Sequence, residues 1–190
     1  EIANLSDGIL LTKGNALISH LTTDTRELEM GDLFIALKGD RFDGENYVKE
    51  AKEKGAYTLS KSRENADIFH HNTKVALLSF AENYCKNLPI ILYKIGITGS
   101  VGKTTTKEFL KKLLEVRYKC HASAGNFNNE IGMPMSLLSA PPDTQVLIME
   151  MGARREGEIK ELCDLLQPQH GIVTSIGACH LATFGDVETV

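Results

Sequence analysis

The stretch GITGSVGKTTTKEF, residues 96–109, carries the clearest chemical signal in this chain of 190 residues. Gly99, Ser100, Val101, Gly102, Lys103, Thr104 and Thr105 follow an apolar run and lead into an amphipathic segment. When a strand turns through glycines into a helix, backbone N–H groups and the helix dipole can surround a phosphate chain. The lysine then reaches the outer phosphates and the threonine hydroxyl serves Mg²⁺. The spacing departs from the common G-x-x-x-x-G-K-[ST] form, because Ile97 stands where the first glycine is expected. Without its flanks the motif is also a plain glycine-rich turn; ILYKIGI before it and the helical pattern after it favour phosphate binding.

Three further groups could join that loop. Glu150 closes the run VLIME, where a carboxylate at the carboxyl edge of a sheet can hold Mg²⁺, although a solvated strand-end Glu reads the same way. His180, after a later strand, falls on the same edge and suits a metal or a phosphate as well as a structural role. Asn126, Asn128 and Asn129 crowd GNFNNEIGMP; amides bind oxygen ligands without adding charge, and equally serve as turn and helix-cap residues. Near the start, Asp24, Thr25 and Arg26 pair a guanidinium with a hydroxyl, a combination suited to a diphosphate or to a surface turn. His70-His71 reads as an exposed loop, Arg154-Arg155 as a solvated helix start, and Cys179 as a non-catalytic wall beside His180.

The elements that must position these residues fall into two sets. Residues 32–37 and the run AYTLS read as strands, while 46–55, closed by Gly55, and LLSFAENYCKN read as helices, making a small α/β unit. A change of texture at NLPIILYKIGITG places a boundary near residue 90, giving domains 1–90 and 91–190. Beyond it the expected order is strand 91–97, helix 103–116, strand 118–122, helix 131–138, strand 145–150, helix 156–166 and strand 171–176. That alternation implies a doubly wound, mostly parallel sheet, incomplete in this chain. In helix 103–116, Phe109, Leu110, Leu113, Leu114 and Val116 are expected to face the core and Lys107, Lys111 and Lys112 to face water.

Composition sets the class: 42% hydrophobic, 24% charged and a net charge of -4 describe a globular chain with no electrostatic reason to bind nucleic acid. No apolar run approaches a membrane span, and the start shows no signal-peptide pattern, so neither membrane insertion nor export is expected. Four scattered cysteines without a C-x-x-C pair suggest neither zinc nor disulfides and fit a reducing cytoplasm.

Together, GSVGKTTTKEF, GNFNNEIGMP, EMGARREGEI and HLATFG, with D-T-R and G-D-L-F-I-A-L-K-G upstream, resemble the Mur ligases, ATP-dependent amide ligases of peptidoglycan precursor synthesis whose phosphate loop has the short form T-G-x-x-G-K-[ST]-T. The resemblance implies a uridine-binding first domain and a central ATPase domain, with ATP and Mg²⁺ required. It implies an acyl-phosphate mechanism on UDP-MurNAc-tripeptide with D-Ala-D-Ala as acceptor, in a cytoplasmic monomer. By position, Lys103 and His180 would be catalytic, Thr104 and Glu150 would hold one Mg²⁺ and His180 a second. Thr25, Arg26, Arg41 and Phe42 would line the UDP site, with Asn128 and Asn129 near the muramoyl peptide. Thr25 replaces a more frequent Ser, Val101 a frequent Asn, and Ala182 a common Glu. The family's carbamylated lysine, adenine contacts and acceptor domain are expected beyond Val190. A sister ligase adding the third amino acid, or a nucleotide-binding module without chemistry, remain the rival readings.

Overall fold

A computed structural model describes residues 1–12, 16–39, 42–125 and 127–177. The elements in chain order are α1 (Ile2–Leu5), β1 (Ile9–Leu10), β2 (Leu21–Thr22), β3 (Leu33–Ile35), α2 (Val48–Glu53), β4 (Tyr57–Ser60), β5 (Ile68–Phe69) and α3 (Thr73–Asn87). They continue with β6 (Tyr93–Thr98), α4 (Lys103–Leu114), β7 (Cys120–Ala122), α5 (Gly132–Leu138), β8 (Val146–Glu150), α6 (Glu158–Leu166) and β9 (His170–Val173). They form two compact units, Glu1–Tyr84 and Cys85–Val190. Among the described residues no helix is long and apolar enough to cross a membrane.

In the first unit the strand order is β1-β5-β4-β3-β2, with β2 to β5 parallel and β1 antiparallel to β5. Phe34 and Ala36 pack against Val48, Ala51 and Ala56, so one side of the sheet is sealed by α2. The helix expected from residue 46 begins two residues later, because Asp43 caps a 3-10 turn over Gly44–Tyr47 by accepting from Glu45 N at 3.1 Å. Its end falls where the glycine predicts: Gly55 adopts φ 79° and Ala56 N donates back to Ala51 O at 3.0 Å. The two-residue strands β1, β2 and β5 are too short to register as periodicity. His70 is buried rather than looped into solvent; its Nδ1 accepts from Asn72 N at 3.0 Å and its ring stacks on exposed His71.

The second unit holds four parallel strands in the order β7-β8-β6-β9. Ile95, Ile97, Val146 and Ile148 project to one face and meet Leu110 and Leu114 of α4. The intervening Leu147 and Met149 are fully buried on the other face. Such two-sided burial is why these strands read as continuous apolar runs. The expected burial of α4 is wrong in half its residues: Phe109, Leu113 and Val116 are 66%, 57% and 87% exposed, whereas Lys107 is fully buried. At 100° per residue, Lys103, Lys107, Leu110 and Leu114 form one stripe and Phe109, Leu113 and Val116 another, roughly 120° away. Both stripes have helical spacing, and the sheet takes the one that continues the phosphate loop.

Candidate nucleotide and cation site

The parallel ladders bring the chemically able residues to one edge of the second unit. Ile97 is opposite Glu150 and Thr98 opposite Val173 in register, so the loop after β6 emerges between the ends of β8 and β9. In that loop Gly99 has φ 132° and Gly102 φ 84°, backbone states that side chains disfavour. A Cβ on Gly99 would also lie 2.3 Å from Thr174 Oγ1. The chain after β9 braces the loop: Ser100 N donates to Ser175 O at 3.0 Å, Val101 N to Ser175 Oγ at 3.0 Å, and Thr174 Oγ1 to Val101 O at 2.6 Å. The strand expected to run to residue 176 stops at Val173: Thr174 N still donates to Thr98 O of β6 at 3.0 Å, but Ser175 and Gly177 bond the loop instead. Thr174 and Ser175 had no motif to mark them in sequence.

Lys103 opens α4 and folds back over the loop, its Nζ donating to Gly99 O at 2.5 Å. Thr104, one residue on, donates from Oγ1 to Glu150 Oε2 at 2.8 Å. Asn128 Nδ2 donates to the other carboxylate oxygen at 3.0 Å. Glu150 is only 3% exposed, so it is not a solvated strand-end residue. Asn129 takes the structural role its type allows: its Oδ1 accepts from Ile131 N and Gly132 N at the entrance of α5.

Among the described residues no three His, Cys, Asp or Glu side chains gather as a metal cage. The Thr104 hydroxyl beside the Glu150 carboxylate is the donor set Mg²⁺ uses when phosphate oxygens and water supply the rest. His180 and Cys179 lie outside the described residues, as do Arg41 and Asn126.

A second edge is assembled in the first unit, since β2, β3 and β4 are parallel and end on the same side. After β2, Asp24 accepts from Arg26 N at 2.9 Å and pairs with the Arg26 guanidinium, which holds its carboxyl down to about 2. Arg26 stays mostly in solvent, while Thr25 is buried and its carbonyl accepts from Lys54 Nζ at 2.6 Å. After β3, Phe42 is 57% exposed and packs over Gly39, where a Cβ would lie 3.1 Å from its ring. After β4, Lys61 donates to Asp43 at 3.2 Å. An exposed aromatic ring with cationic side chains on one edge can take a stacked base and an anionic tail.

Comparison with known proteins covers both units. The model of the Mur ligase middle domain matches residues 97–190, and that of the Mur ligase family catalytic domain matches residues 17–85. The UDP-N-acetylmuramoyl-tripeptide--D-alanyl-D-alanine ligase of Bacillus subtilis is 39% identical over 181 residues, covering 92% of this chain and 39% of that protein. The Escherichia coli protein of the same name is 36% identical, covering 90% and 38%. A crystal structure of MurF from Acinetobacter baumannii superposes with a TM-score of 0.89 at 32% identity, covering 99% of this chain and 43% of that one. MurF from Thermotoga maritima, solved in complex with ADP, gives 0.80 at 32% identity, covering 90% and 40%. The chain spans about two fifths of the length of these relatives. With a short-form phosphate loop braced by Thr174 and Ser175, a buried carboxylate against its threonine, and two family models placed end to end, the chain belongs to the Mur ligase family.

Proposed function

We propose that the chain is the uridine- and ATP-binding part of an enzyme that joins D-Ala-D-Ala to UDP-MurNAc-tripeptide. The observation that carries this reading is the meeting of Thr104 Oγ1 and Glu150 Oε2 at 2.8 Å beside the phosphate loop; the names of the relatives supply the substrates. ATP is a substrate here. Its γ-phosphoryl group passes to the terminal carboxylate of the tripeptide, and the amine of D-Ala-D-Ala then attacks the acyl phosphate and expels phosphate.

Each residue has a share in that reaction. The N–H groups of residues 102–105, at the turn into α4 and beyond the two that Ser175 engages, hold the phosphate chain, and Lys103 exchanges its bond to Gly99 O for the transferring phosphoryl group. Thr104 and Glu150 would hold Mg²⁺, which offsets charge as phosphate and carboxylate approach. Asn128 fixes the Glu150 carboxylate from its other oxygen, and Asn129 holds the loop that faces the peptide. Thr25, Arg26 and Phe42 serve the UDP moiety at the edge of the first unit. His180 and Arg41 keep the second-cation and UDP roles that the family resemblance implies. Such an enzyme works as a cytoplasmic monomer on soluble nucleotide precursors.

Full-length protein given ATP, Mg²⁺ and UDP-MurNAc-tripeptide is expected to consume D-Ala-D-Ala and release phosphate in equal amounts. With UDP-MurNAc-dipeptide and a free diamino acid it is expected to be slow, because a site built for a longer peptide leaves polar groups unpaired with a shorter one. The reverse preference would assign the sister ligase. No Mg²⁺-dependent phosphate release with either acceptor would leave a binding module.

A further inference from the structure

We propose that Lys107 is a positioning residue for the cation-holding edge, acting through Ser123 on Glu150. Lys107 lies one turn after Lys103 on the stripe of α4 that faces the sheet, and it is fully buried. Leu110 and Leu114 fill the same stripe, so packing alone would be served by another apolar side chain. A buried ammonium is unfavourable unless its donors are used. Here Nζ donates to Ser123 O at 2.5 Å and meets Glu108 Oε1, on a half-exposed side chain, at 3.2 Å.

Ser123 is the first residue past the paired part of β7, whose last ladder partner is Ala122 opposite Ile148. Its carbonyl thus has no strand partner, and Lys107 supplies the donor. The same residue is tied twice to β8: its N donates to Ile148 O at 3.1 Å, and its Oγ accepts from Glu150 N at 3.0 Å. Glu150 returns the path to α4 through Thr104. The result is a closed ring of four residues, Thr104, Glu150, Ser123 and Lys107, whose two ends sit three residues apart on one helix. A ring of this kind determines where the Glu150 carboxylate stands relative to the Thr104 hydroxyl. It also anchors the start of the segment that carries Asn128.

The inference rests on the phosphate-loop part of the proposed function, not on the acceptor. Its test is ATP binding by the full-length protein, measured calorimetrically with and without Mg²⁺, for wild type, Lys107→Met and Ser123→Ala. Both variants are expected to weaken Mg²⁺-dependent binding about tenfold or more, the scale for residues that orient a metal ligand, and to leave Mg²⁺-free ATP binding unchanged. A purely structural lysine would lower the melting temperature and keep the wild-type Mg²⁺ dependence in the folded protein, and that result overturns the proposal. Should Lys107→Met not fold, Ser123→Ala decides alone, since it breaks only the Oγ link to Glu150; wild-type Mg²⁺ dependence in that variant overturns the ring. A wild-type protein that binds ATP with Mg²⁺ but does not join D-Ala-D-Ala removes the ligase reading and leaves this comparison intact. A wild type with no Mg²⁺-dependent ATP binding overturns both.

Discussion

At the scale of single residues, the division of labour is set by what each side chain is already bonded to. Lys103 is half-buried and, among the described residues, bonds a carbonyl of its own loop, so it can be lost without opening the core. Lys103→Ala in the full-length protein is therefore expected to keep the melting temperature while lowering the proposed ligase turnover by about a hundredfold or more, the scale for one electrostatic donor at a transition state. Undiminished phosphate release by this variant would contradict the phosphate-loop role. His121 makes a different case, since its effect is on stability. Burial pushes its imidazole below the ordinary value of 6.5, against a smaller opposing effect from donation by Nε2 to Ser136 O at 2.8 Å. The unfolded chain therefore binds the extra proton first as the pH drops. Stability from this group is complete above about 6.5 and is lost as the pH falls toward the lower folded value. Urea midpoints of wild type are expected to fall across that window more than those of His121→Gln; parallel curves would count against it.

At the scale of elements, α4 shows how one helix serves two masters. Its inner stripe combines Lys103, which folds back onto Gly99 O, the ring member Lys107 and the core residues Leu110 and Leu114. Its second apolar stripe is left in solvent by this chain, so the two stripes should differ in what they cost to remove. Leu147→Ala, at a fully buried position on the sheet, is expected to destabilise the 190-residue chain by about 2–5 kcal/mol. Phe109→Ala is expected to change it by less than about 0.5 kcal/mol, because an exposed ring leaves no cavity. Equilibrium urea unfolding of both variants checks the pair, and equal losses would mean that Phe109 is packed. The end of β9 follows the same logic: after Thr174, whose N still donates to Thr98 O of β6, Ser175 and Gly177 bond the loop between β6 and α4 instead of extending the ladder.

At the scale of the whole molecule, each unit ends its parallel strands on one edge and places its polar chemistry there, as open α/β sheets do. The 190-residue chain is expected to bind a uridine nucleotide through residues 1–84 and to make no amide bond, since it spans two fifths of its relatives. Saturable binding of UDP in a titration, lost in Arg26→Ala, would support the first part; amide formation by this chain would refute the second. The sequence by itself determined the glycine turn from β6 into α4, the strand and helix alternation, and the family, because these depend on local spacing and on residue types with few physical substitutes. Glycines at positive φ next to Lys-Thr, and apolar runs bounded by turns, carry that information within a dozen residues. The tertiary structure decided which stripe of α4 is buried, since Phe109, Leu113 and Val116 match the helical period as well as Leu110 and Leu114 do. It also decided the partners of Glu150: Thr104, Asn128 and Ser123 stand 46, 22 and 27 residues away, and only the register of the parallel strands brings them to one point. Periodicity tells a segment which face to bury, but the choice between two equal faces and the meeting of distant polar atoms are settled by the sheet they fold against.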